Sequence, residues 1–142
     1  MPMTSKEKRD LLRTVGLFAE MTERSLAAIA AKAVDIDFAA GQYIVRQGQV
    51  GTGFYLITSG RAKVVRSGRV LARLSPGEFF GELSVLDQLP RTAHVIAEEP
   101  TSCLALASWD FSKLLEENPQ ITMGLLREVA RRLRAADDSH RH

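Results

Sequence analysis

The stretch FYLITSGRAKVVRSGRVLARL, residues 54–74, decides the architecture of this chain. It holds three short runs rich in β-branched and aliphatic residues, separated by two copies of Ser-Gly-Arg at 59–61 and 67–69. Runs of that length bounded by glycine turns read as strands, and the eight-residue offset of the copies predicts two hairpin turns of a meander. Working outward, VDIDF (34–38), YIV (43–45), AHVIA (93–97) and SCLALA (102–107) carry the same signal. Short strands at such regular spacing fit an all-β sandwich or barrel of seven or eight strands.

Helices flank this β region. Thr4 and Glu7 form a capping box for a helix reaching Val15, and after Gly-Leu-Phe a second helix runs from Thr22 to about Lys32. Beyond the strands, Ser108 is placed to cap WDFSKLLEE. Asn118 and Pro119 then supply the N-cap and first-turn proline of a long final helix with an apolar stripe of Leu125, Leu126, Val129, Ala130 and Leu133. No linker-like segment separates these parts. The expectation is one domain over residues 1–142, with helices at 1–33, strands at 34–107 and helices plus a tail at 108–142.

Size and composition bound the function. A chain of 142 residues buries about two thirds of its unfolded surface, enough for one ordinary core. With 45% hydrophobic and 25% charged residues it reads as globular, and 19 basic against 17 acidic residues give a net charge of +2, which argues against a nucleic-acid surface. Cys103, the single cysteine, has no internal disulfide partner and reads as a reduced, buried thiol. No apolar run approaches the ~18 residues of a membrane span, and no signal-type segment follows Lys6–Asp10. A cytoplasmic location without membrane contact is expected. A metal-dependent β-barrel enzyme would need two or three histidine ligands in the β region, where only His94 lies; His140 and His142 are in the tail. There is no G-x-S-x-G elbow and no P-loop, so no enzyme and no cofactor are expected.

The chemistry concentrates in FFGELSVLDQLPRTAHV, residues 79–95. A Pro-Gly turn precedes Phe79, and Gly81 stands before a single expected helical turn, residues 82–86, whose free N–H groups and dipole would stabilise an anion by about 0.3–2 kcal/mol. Arg91, fixed behind Pro90, suits the same anion with a bidentate fork. Glu82 would repel an anion and fits a neutral donor such as a sugar hydroxyl. Phosphate plus hydroxyl describes a nucleotide. On chemistry alone a second reading stands beside it, in which Glu82 and Arg91 are a buried salt bridge pinning a loop to a strand.

FGELSVLDQLPRTAHVIA (80–97) resembles the phosphate-binding cassette of cyclic-nucleotide-binding domains. The resemblance continues in VGLFAEMTERSLAAIA (15–30), AAGQYIVRQGQVGTGFYLITSGRAKVV (39–65), NPQI (118–121) and ARRLR (130–134), as in the catabolite activator family. It implies a mainly β fold with flanking helices: an eight-stranded β-roll of the double-stranded jelly-roll type, two N-terminal helices, a short helix within the cassette at 79–93, and two C-terminal helices. By resemblance, Glu82 accepts from the ribose 2′-hydroxyl, Arg91 binds the cyclic phosphate, and the amides of Gly81, Leu83 and Ser84 complete its cradle. Val64 and Leu71 fall on the base side of the roll, where ordinary core packing explains them equally well. Thr92 fits the phosphate or the 2-amino group of guanine, so cAMP and cGMP both remain ligands. Arg127, Arg131, Arg132 and Arg134 read mostly as a solvated face, beside which the resemblance offers Arg131 or Arg132 as a lid arginine over the base, in the manner of some channel domains; Ala136 and Asp137 stand where catabolite activator relatives carry hydroxyl groups. The resemblance implies a regulatory sensor in signal transduction that couples ligand to movement of its C-terminal helices. The apolar stripe of the last helix suits either packing on its own barrel or pairing with a second copy, and a weak homodimer through that helix is the expectation. Residues 137–142 leave no room for a recognition helix, so no nucleic acid is expected on this chain alone. The alternatives are a degenerate domain binding another ligand, and the sensor fragment of a transcription regulator or channel.

Overall fold

A computed structural model describes residues 3–49, 53–81 and 91–140. Helix α1 (Ser5–Thr14) begins at the expected capping box, with the Thr4 hydroxyl accepting from the Glu7 amide and the Glu7 carboxylate accepting from the Thr4 amide. A 3₁₀ turn (Gly16–Phe18) leads to α2 (Glu23–Lys32), capped by Thr22. Eight strands follow: β1 (Val34–Phe38), β2 (Tyr43–Val45), β3 (Gly53–Ser59), β4 (Ala62–Arg66), β5 (Arg69–Leu74), β6 (Phe79–Phe80), β7 (His94–Ala97) and β8 (Thr101–Ala107). The chain closes with α3 (Ser108–Glu117) and α4 (Pro119–His140).

The strands form two antiparallel four-stranded sheets, ordered β1-β8-β3-β6 and β2-β7-β4-β5. This arrangement corrects the meander. The second Ser-Gly-Arg is a hairpin turn, with Ser67 and Gly68 at φ 54° and 76°, the left-handed pair that a tight two-residue turn needs. The first is a crossing between sheets, because β3 and β4 belong to different ones. At that corner a Cβ on Gly60 would lie 2.4 Å from the Pro100 carbonyl oxygen. Glycine is required there by close approach.

The first sheet is covered on both faces. Phe54, Leu56, Phe79, Leu104 and Leu106 face the helices, packing with Phe18, Leu26, Phe111 and Leu125. Ile57, Phe80 and Cys103 face the second sheet, packing with Ile44, Ala62, Leu74 and Val95. Period-two alternation therefore sends neighbouring apolar residues into two separate cores. Phe54 stacks on Phe111 at 4.2 Å and lies 5.3 Å from Phe79, contacts worth about 0.5–1.5 kcal/mol each beyond the area they bury.

Three further expectations need correction. Ser108 is the first residue of α3, and the cap is Ala107, whose side chain has no hydrogen-bonding group. The Asn118 side chain serves the preceding helix, donating to the Leu114 carbonyl at 2.9 Å, while its own carbonyl accepts from Ile121 at the start of α4. The apolar stripe of α4 divides: Leu125 is buried and Val129 half-buried, whereas Leu126, Ala130 and Leu133 are exposed. Cys103 is fully buried, and burial pushes its thiol up to about 12. His94 on β7 is half-buried, accepts from the Gln47 amide at Nδ1, and meets the Tyr43 ring edge-on at 5.1 Å. Among the described residues no helix is long and apolar enough to cross a membrane, and no three His, Cys, Asp or Glu side chains gather as a metal site.

Candidate functional site: the buried Arg91

The chain enters β7 through Arg91, which is 8% exposed. Its backbone is held on both sides by the turn after β2: the Arg91 amide donates to the Gln49 carbonyl at 2.7 Å, and the Gly48 amide donates to the Arg91 carbonyl at 2.9 Å. Nη2 of the side chain donates to the Gly53 carbonyl at 2.9 Å, and the guanidinium lies 6.0 Å from the Tyr55 ring centroid. A buried cation is costly unless its donors and charge are satisfied, and the Gly53 carbonyl is one acceptor that serves this guanidinium.

Gly81 directly follows β6 with φ +94°, in the left-handed region, and a Cβ there would stand 2.6 Å from Arg91 Nη1. Two of the residues singled out in the sequence therefore meet directly. Tyr55 and Phe80, paired across β3 and β6, stack at 5.2 Å beside them. Glu82, Leu83 and Ser84, together with the expected cassette helix, lie outside the described residues. Thr92 follows Arg91 and is exposed.

Arg132 reaches the same strand from outside the roll. Its Nη2 donates to the Phe79 carbonyl at 2.9 Å, its guanidinium lies 4.6 Å from the Phe79 ring centroid, and Nε donates to Glu128 at 3.2 Å. Glu128 is also bound by Arg131, whose hydrogen bond chiefly holds the Glu128 carboxyl below its usual range. Val64 on β4 is half-buried and packs on the inter-sheet core; Leu71 on β5 is 48% exposed, beside a register shift in the β4–β5 pairing. Ala136 is exposed near the end of α4, and the Asp137 side chain lies outside the described set. Sequence reading missed Gly53 and Tyr55. The signal available was a glycine at a strand start, where a Cβ would press to 3.1 Å of the Leu106 carbonyl.

Residues 35–118 match the family described as cyclic nucleotide-binding domain. The chain belongs to the cyclic nucleotide-binding domain family. It is 41% identical over 102 residues to the cyclic AMP receptor protein of Thermus thermophilus, covering 68% of this chain and 47% of that protein. It is 38% identical over 100 residues to the cGMP-dependent protein kinase of Toxoplasma gondii, covering 70% of this chain and 10% of the kinase. Among solved structures, the Thermus thermophilus catabolite activator protein superposes with a TM-score of 0.78 at 35% identity, over 87% of this chain and 60% of that one. The chain thus spans about half the length, or less, of these two curated relatives. Eight strands in two antiparallel sheets, with helices before and after them, are the architecture that the resemblance implied, and this cyclic nucleotide-binding domain has it.

Proposed function

We propose that this chain is a single cytoplasmic domain that binds cAMP, and also cGMP, as a regulatory sensor without catalytic chemistry. The observation that carries the reading is the contact between Gly81 and the buried Arg91, a guanidinium held beside a backbone that bears no side chain. A cyclic phosphate would take Arg91 and the amides of Gly81, Leu83 and Ser84, while Glu82 would take the ribose 2′-hydroxyl. Val64 and Leu71 would border the base, Thr92 would hydrogen-bond the phosphate or a guanine 2-amino group, and Arg132 would close over the base from α4. Both a cyclic AMP receptor protein and a cGMP-dependent kinase are relatives, which supports admitting either base.

Ligand can favour one arrangement of the domain only by binding it better, and the segment offered for movement is α3 and α4. Met123, Leu126 and Leu133, exposed by 48%, 59% and 69%, lie with Ala130 at spacings of three, four and three along α4. Such a seam fits a second copy of the same helix, so a weak homodimer is part of the proposal. The test is a calorimetric titration with cAMP and cGMP side by side. Roughly micromolar binding of cAMP or tighter is expected; no heat with millimolar nucleotide would overturn it and leave a domain with a different ligand.

A further inference from the structure

Residues 61–74 carry Arg61, Lys63, Arg66, Arg69 and Arg73 and no carboxylate, in a chain whose net charge is only +2. The register of β4 and β5 sets Lys63 opposite Arg73 and Arg66 opposite Arg69. Like charges directly opposite weaken a hairpin. Arg73 has an ion-pair partner, Glu98 at 3.2 Å; Lys63, Arg66 and Arg69 have none among the described residues. β5 is also the edge of its sheet. Residues 69–73 are all exposed, with Val70 and Leu71 at 43% and 48%.

An isolated charge is enough to discourage stray pairing at a sheet edge. The Arg66–Arg69 pair goes further and acts against the hairpin itself, a cost that an anion lying between the two would remove. We propose that the β4–β5 hairpin is a docking edge for an extended acidic segment of a partner protein, which adds a strand beside β5. Main-chain hydrogen bonds to the open edge would supply affinity. Carboxylates would bridge the cations, and an apolar side chain of the added strand would cover Val70. The observations favour a peptide over a nucleic acid, because the cations flank a bare backbone edge and two aliphatic side chains, and residues 61–74 hold no aromatic ring for base stacking. The proposal requires no ligand in the roll and stands apart from the nucleotide reading.

The test uses the full chain and a fluorescent synthetic peptide alternating glutamate with valine, followed by anisotropy at low and high salt. Saturable binding that weakens with salt is expected, with slowed amide exchange in β5. Arg66→Gln/Arg69→Gln should reduce affinity by about tenfold or more, while Arg66→Lys/Arg69→Lys should retain most of it. The glutamine variant should unfold at the same or a higher denaturant midpoint than the parent, since it relieves repulsion; a lower midpoint would mean that these arginines serve the fold, and would overturn the proposal. So would absence of saturable binding, equal binding of a peptide with proline at alternate positions, or tighter binding to phosphatidylserine vesicles or a single-stranded oligonucleotide than to the peptide.

Discussion

A Cβ on Gly81 would stand 2.6 Å from Nη1 of Arg91 and 2.7 Å from the Gly53 carbonyl oxygen, so the missing side chain is what lets the buried guanidinium lie against the end of β6. The first prediction concerns this contact. Gly81→Ala forces a side chain into a left-handed backbone and against a backbone oxygen, and should cost about 1–3 kcal/mol of stability. Nucleotide affinity should fall as well, because Arg91 must move. Urea denaturation and calorimetry on the same preparation check both effects.

Arg91→Ala should lower cAMP affinity by about 2–5 kcal/mol, the loss typical when one partner of a desolvated charge pair is removed. It also strands the Gly53 carbonyl, which accepts from Nη2 at 2.9 Å, so a smaller stability loss of about 1–3 kcal/mol accompanies it. A denaturation midpoint that collapses while the refolded variant still binds would mark Arg91 as a structural residue.

Thr92 is exposed next to that arginine. Thr92→Ala should weaken cGMP more than cAMP, by about 0.5–1.5 kcal/mol, the worth of one hydrogen bond. Equal losses in paired titrations would remove Thr92 from base recognition.

Burial raises the Cys103 thiol from 9.0 to about 12. The native state therefore keeps a proton that the unfolded state has begun to release above pH 9, and the stabilisation, complete below pH 9, is lost as pH rises toward 12. The stability difference between the parent and Cys103→Ala, followed by urea titration from pH 7 to about 11, should shrink in that window. At neutral pH the native thiol should resist alkylation and react once denaturant is added.

Leu126→Glu/Leu133→Glu places charge on the exposed seam of α4 without touching the buried Leu125. Sedimentation velocity should show any dimer of the parent chain dissociating in this variant, with the unfolding midpoint little changed. A parent chain that sediments as a monomer at high concentration would dispose of the dimer.

Much of the fold was legible because its signals are local. FYLI and SCLALA read as strands since the sheet they enter is covered on both faces, which makes them continuous apolar runs. The caps at Thr4 and Thr22 lie within four residues of the groups they bind. What sequence could not tell was the partner of each turn. Ser-Gly-Arg occurs twice with one composition, yet one copy closes a hairpin and the other changes sheets, a choice made by contacts with Pro100 and Thr101 some 40 residues away. The same limit applies at the site. Gly81 and Arg91 were named from the chain, but Gly53, which binds Arg91 across 38 positions, was not. Net charge misled in a related way: balanced overall, it concealed the cations that register gathers on one hairpin.

The sheet formed by β1, β8, β3 and β6 stands between two cores like a bulkhead. Phe54 and Leu56 press on one side of β3 while Ile57 presses on the other, so apolar side chains of the two compartments meet through the strand that carries them. Close-packed interiors yield little. A force applied within the roll therefore reaches the helices economically by displacing β3, β6 or β8 bodily, along with the side chains of Phe54, Phe79 and Leu104. Trimming a side chain on one side would alter how firmly the wall is backed, and stiffness rather than contact would be the property that mutation changes.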